Sequence, residues 1–133
     1  FCLEAAIDNN DTNWIVDVVD LGPEGDRQLV SQGYLKAQQR ALDQEASKPW
    51  KPVHPIKEPE PVPENEQVKY AIDMMPTSVI LQQDHQLEIT IRNQDDLRSK
   101  DALNGVYLMP FMQDVTHDIY FGNSYLVVPT IPE

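Results

Sequence analysis

A chain of 133 residues with one cysteine, three histidines and ten basic side chains offers little thiol, imidazole or positive charge. The single Cys2 excludes an internal disulfide and says little about compartment, for which the cytoplasm is the default expectation. His54, His85 and His117 stand far apart, without i, i+4 pairing, and there is no C-x-x-C, so no zinc site is expected. Twenty-two acidic residues leave a net charge of −12, which repels phosphate and argues against nucleic acid or an anionic membrane surface as partner. No apolar run approaches membrane-spanning length, and no signal-peptide pattern opens the chain. Also missing is the G-x-S-x-G turn that presents a hydrolase serine. Gly122-Asn123-Ser124 comes nearest, but lacks the second glycine and precedes a strand pattern.

What is present is a strand-and-turn pattern centred on residues 8–26. A polar lead-in (Asp8 to Asn13) runs into Trp14-Ile15-Val16-Asp17-Val18-Val19-Asp20-Leu21 and then into Gly22-Pro23-Glu24-Gly25-Asp26. Successive strand side chains face opposite ways, so Trp14, Val16 and Val18 share one face. Ile15, Val19 and Leu21 share the other, and a strand apolar on both faces belongs inside a sheet, with Trp14 in the core. Pro23 fixes a turn φ and Gly25 allows a positive one, which predicts a hairpin into residues 27–31.

Alternation predicts further strands. Phe1, Leu3, Ala5 and Ile7 open the chain, already in strand and without a methionine, and the sequence reads as a fragment of something longer. Val68, Tyr70, Ile72 and Met74 form another strand, broken at Pro76 and resumed at Val79-Ile80-Leu81. Leu87, Ile89 and Ile91 give the cleanest one-face-buried pattern, and late strands are expected at residues 119–121 and 125–128. Residues 33–42 fit a helix by propensity or an irregular excursion equally. Residues 94–105 read as a long polar loop and 106–112 as an apolar run broken by Pro110. The length suits one domain over residues 1–133, and the many short strands point to an all-β sandwich or barrel.

Six prolines between Lys48 and Pro63 keep that stretch out of both helix and sheet. Trp50, Val53, His54, Ile56 and Val62 interrupt it, and groups so large and apolar do not suit a solvated linker. An ordered strap across a sheet is expected, with Trp50, Pro52 and His54 as candidate contact residues for a second surface. The competing reading folds Trp50 back onto the domain's own sheet.

Other constellations carry less. His117-Asp118 beside Ser124 has triad residue types, but neighbours on extended chain point oppositely and cannot form a relay. Asp8, Asn9, Asn10 and Asp11 offer oxygens to calcium; an Asx-rich turn capping its own backbone explains them with fewer ligands. Asn10-Asp11-Thr12 matches a glycosylation triplet, which matters only in a secreted protein. Trp14, Trp50 and the five tyrosines would suit sugar stacking in a free-standing carbohydrate-binding jelly roll, or ordinary packing.

The residues in order resemble a known family. Asp11-Thr12-Asn13-Trp14-Ile15-Val16 with Val19-Asp20-Leu21-Gly22-Pro23-Glu24-Gly25 is similar to the "DTDW-x-V…D-V-x-P-D-G" signature of the C-terminal domain of X-Pro dipeptidyl-peptidases and cocaine-esterase-like (CocE/NonD) hydrolases. The similarity continues through Gly33-Tyr34-Leu35-Lys36-Ala37, Arg40-Ala41-Leu42-Asp43 and Ser47-Lys48-Pro49-Trp50-Lys51-Pro52-Val53-His54. Glu58-Pro59-Glu60-Pro61-Val62-Pro63, Pro76-Thr77-Ser78, Asp84-His85-Gln86-Leu87 and Ser124-Tyr125-Leu126-Val127-Val128-Pro129 complete it. Residues 94–115 match poorly. Asp84 and Asn65 replace glycines of the family, and both residue types tolerate left-handed backbone, so the turns are expected to survive. Gln86 removes an arginine's charge, a change expected to alter a domain contact.

The resemblance implies a jelly-roll, galactose-binding-like β-sandwich lacking its first strands, appended to an upstream α/β-hydrolase domain that holds the serine, aspartate and histidine of the triad. None of those positions falls in this chain, so no catalytic residue, metal or cofactor is carried over. The implied role is non-catalytic: to buttress the hydrolase domain and its substrate cleft. Association with a second copy stays open.

Overall fold

The computed structural model describes residues 1–94 and 113–131, and the apolar run read at 106–112, with most of the loop before it, lies outside them. Among these described residues two three-stranded antiparallel sheets are stacked on a shared core, an all-β sandwich. The strands in chain order are β1 Cys2–Ile7, β2 Asn13–Leu21, β3 Arg27–Lys36, β4 Val68–Ala71, β5 Gln86–Arg92 and β6 His117–Ile119. One sheet has the order β4-β1-β6 and the other β3-β2-β5. The expected central strand is indeed central: β2 is bordered on both sides, pairing Val16 with Gly33 and with Ile91.

The hairpin closes as its sequence demands. Gly25 has φ of +86°, and Gly22 N–H donates to Asp26 O at 2.9 Å. The returning strand β3 runs to Lys36, well beyond the expected five residues. It carries a bulge opposite Val18 and Val19, where Ser31 and Leu29 are the paired residues and Val30 is extra. Of residues 33–42, left open between helix and excursion, 33–36 complete β3, Ala37–Gln39 make one 3-10 turn and 40–42 run on irregularly, so the excursion after a strand is what forms.

Leu3, Ala5 and Ile7 from one sheet meet Trp14, Val16 and Leu35 from the other, with Tyr70 and Ile72 beside them. Trp14 is 1% exposed, and its ring tilts against Tyr70 with centroids 5.2 Å apart. Burial pushes the Tyr70 hydroxyl above its ordinary pKa of 10.0.

Several strand expectations need correction. Val79, Ile80 and Leu81 form no strand and are exposed, because past Pro76 the chain leaves the sheet edge and finds no paired neighbour. The strand from Val68 ends at Ala71; Met74 then crosses to the other sheet and bridges Gly33. Leu87 is 37% exposed and Ile89 and Ile91 only half-buried, so β5 buries its apolar face incompletely. Among the late strands, residues 117–119 pair instead of 119–121. Only Tyr125 of the 125–128 run bridges, to Cys2.

Candidate functional site

The strap at residues 48–63 is extended, almost free of sheet pairing, and fastened at both ends. Its far end is held by the segment after β3. Arg40 Nη1 donates to Glu60 O at 2.6 Å and Nη2 to Pro61 O at 3.3 Å, while Glu60 N–H donates to Gln38 O at 2.9 Å. Val62 N–H donates to Asn10 O at 2.8 Å and its side chain enters the core at 2% exposure. Asn65 then turns the chain with φ of 58°, as a residue tolerant of left-handed backbone can.

The near end is held by side chains that satisfy backbone groups no sheet could pair. Val53 N–H donates to Ser47 Oγ at 2.9 Å, and Asp43 N–H donates to Val53 O at 2.8 Å. His54 sits between two carbonyls, Nδ1 at 3.0 Å from Ala41 O and Nε2 at 2.8 Å from Ala71 O. Carbonyls only accept, so one ring nitrogen donates in the neutral imidazole and both do in the imidazolium. His54 thus ties the strap to the edge of β4. Lys51 pairs with Asp73 at the crossing between the sheets.

Between these fastenings the strap turns outward. Lys48 and Lys51 exchange backbone bonds of 2.9 and 3.0 Å across Pro49 and Trp50, and this tight turn lifts Trp50 to 67% exposure. The fold-back reading of Trp50 is therefore not the one the chain adopts. Of the three residues expected at a contact, Trp50 is exposed, Pro52 is half-buried, and His54 is occupied within the domain. Ile56, at 74% exposure, is a further outward residue, and proline spacing alone gave no sign that it faces away while Val62 faces in.

The triad-like residues are spent structurally. Ser124 Oγ accepts from Glu4 N–H at 3.0 Å and donates to Tyr120 O at 3.0 Å, replacing a ladder bond where the chain loops out beside β1. His117 Nε2 lies 2.9 Å from Thr12 Oγ1 and its ring stands edge-on to Trp14 at 4.9 Å. Burial lowers the His117 pKa below 6.5, and Asp8 acts weakly the other way. Neither residue has the free, mutually aimed geometry of a nucleophile and its base.

The oxygens of the polar lead-in cap backbone. Asp8 Oδ1 accepts from Thr116 N–H at 2.8 Å, and hydrogen bonding by the Thr116 side chain first, then by its backbone, holds the Asp8 carboxyl below its ordinary value. Asn9 Oδ1 accepts from Asn10 N–H at 2.7 Å and Asp11 Oδ1 from Gln38 N–H at 3.2 Å. No group of three or more metal-ligating side chains occurs among the described residues.

This domain holds no assembled catalytic group among its described residues, and comparison with known proteins accounts for that. Residues 1–106 match the family described as the X-Pro dipeptidyl-peptidase C-terminal non-catalytic domain. The chain belongs to that family. A CocE/NonD family hydrolase from Staphylococcus aureus shares its fold, with a TM-score of 0.72 at 18% identity over 89% of this chain. The chain spans only 24% of that hydrolase's length. No curated protein sequence matches it. Within this X-Pro dipeptidyl-peptidase C-terminal domain, the turn expected to survive with Asp84 does so: Asp84 stands at φ of 65°, in the left-handed region that aspartate tolerates.

Proposed function

We propose that residues 1–133 form one accessory domain of a serine hydrolase of X-Pro dipeptidyl-peptidase or esterase type, in which an upstream α/β-hydrolase domain performs the chemistry. This domain buttresses that neighbour and helps wall its substrate cleft. The strap carrying Trp50, Pro52 and His54 is the contact. The observation that supports this is the state of Trp50: a large ring held outward by a turn whose flanks are hydrogen-bonded. Ordering such a segment costs about 1–2 kcal/mol per residue, which an exposed ring recovers only when a partner covers it.

The test is fluorescence of Trp50 with Trp14 replaced by Phe. Emission in the chain alone is expected at the wavelength of water-exposed indole, and it shifts blue when the hydrolase domain is present in the same polypeptide. Unchanged emission there, or a shift produced by added oligosaccharide instead, would overturn the reading in favour of a free-standing binding module. Pure chain is expected to turn over neither an X-Pro anilide nor an activated ester.

A further inference from the structure

Ile56 has φ of 45°, in the left-handed region that a β-branched side chain avoids, and it is 74% exposed. The exposure alone is ordinary enough, since solitary exposed aliphatics occur on every surface. Its combination with that φ is different. Burial returns almost nothing to this side chain, yet the backbone beneath it is held in a conformation that costs free energy. Strain of this kind persists only where the surroundings over-determine it. Here they do: His54, two residues before, faces the Ala41 and Ala71 carbonyls. Pro55 has a fixed φ, and Lys57 O accepts from Gln39 Nε2 at 3.2 Å.

The strap also sorts its apolar groups. Val62 reaches the core, whereas Trp50 and Ile56, on the same extended run, face away. A strap able to bury a valine is not simply too far from the sheet to bury others.

We infer that Ile56 is a second anchor of the docking surface, set outward by its left-handed backbone, and that with Trp50 it inserts into the hydrolase domain of the same polypeptide. The inference rests on the docking role proposed above and adds to it a residue and a mechanism of presentation. The hydrolase domain is the occupant because this chain is a C-terminal domain by family and spans 24% of the hydrolase whose fold it shares. A covalently linked neighbour is present at an effective concentration no free ligand matches. Two rigid apolar anchors a few residues apart suit a preformed pocket pair, because the ordering cost has already been met in the free domain.

Hydroxyl-radical footprinting of the chain alone and of the full-length polypeptide tests this. Oxidation of both Trp50 and Ile56 is expected to fall roughly fivefold or more in the full-length protein, as for side chains passing from mostly exposed to an interface core. Protection that spares both residues but appears elsewhere on the domain would overturn the anchor while leaving docking intact. No protection anywhere would overturn docking itself. Protection that grows with concentration of the chain alone would assign the surface to self-association and overturn the inference. A second variant addresses the strain: Ile56→Gly is expected to raise the melting temperature of the isolated chain, since glycine adopts this φ freely, while loosening Trp50 protection in the full-length protein. A lowered melting temperature in the isolated chain would remove the argument from strain.

Discussion

The two tryptophans stand at opposite limits of burial, Trp14 at 1% exposure and Trp50 at 67%. Around Trp14 two sheets converge, and most of the core cluster comes from paired strands: Leu3, Ile7, Val16, Leu35 and Tyr70. Around Trp50 there is no sheet, and the backbone is held by Ser47, His54 and Arg40 through individual hydrogen bonds. The first region is ordered because ordering it buries apolar surface. The second is ordered by polar fastenings that leave Trp50 and Ile56 outside. A domain that stabilises only itself has use for the first arrangement alone, and the second is the one the docking role proposed above would use.

The sharpest way to break this comparison is at Trp14. Trp14→Ala is expected to cost about 3–5 kcal/mol, through lost transfer energy and the cavity left between the sheets. Chemical denaturation measures it. A cost near that of a surface substitution would show the sandwich to be held by something other than this contact.

Gly33→Ala comes next. A Cβ there would lie 2.7 Å from Asp73 O and 2.6 Å from Met74 Sδ, where the chain crosses between the sheets. The sulfur can swing aside, but the carbonyl belongs to backbone. Overpacking of this kind costs about 1–3 kcal/mol. An unchanged denaturation midpoint would mean that the crossing is looser than its geometry.

This crossing marks the limit of what the sequence makes legible. Local chemistry reads well: the two-faced apolar run of β2 is the central strand, and Gly25, Asn65 and Asp84 take the positive φ their residue types allow. The apolar run at residues 79–81 forms no strand because an apolar pattern becomes one only where a neighbouring edge is free to pair with it. Nothing within those residues says whether one is. The strap shows the same boundary. Proline spacing marks it as extended, but Val62 and Ile56 have similar side chains, and only tertiary placement separates the buried one from the exposed one. Sequence likewise argues against Ser124 as a nucleophile without showing where its hydroxyl goes, while the structure uses it to complete the ladder at Glu4.

Protonation probes the core side of the comparison more gently. Burial holds the His117 pKa below 6.5, so as pH falls the unfolded chain takes up the proton first. Above 6.5 both states are neutral and this group leaves stability unchanged; as pH falls below 6.5, toward the lower folded value, stability is lost. In His117→Gln that loss is absent. The difference in denaturation midpoint between the native chain and the variant is therefore expected to shrink on going from the neutral to the acidic side of 6.5. A difference that stays constant would show that His117 accepts its proton in the fold as readily as in the open chain.

The smallest effect is the most informative about the strap. Trp50→Ala in the isolated chain is expected to change stability by no more than about 0.5 kcal/mol, because an exposed side chain away from caps and buried networks contributes little. The strap's fastenings run through Ser47, Val53, His54 and the Arg40 guanidinium, none of which the substitution touches. The backbone turn between Lys48 and Lys51 is closed by main-chain bonds that alanine keeps. In a polypeptide where the ring is covered, the same substitution is expected to cost about 2 kcal/mol or more, the range of an aromatic anchor at an interface. The contrast between the two measurements isolates docking from folding. A cost in the isolated chain approaching that of Trp14→Ala would place Trp50 in the domain's own core and dissolve the distinction between the two regions.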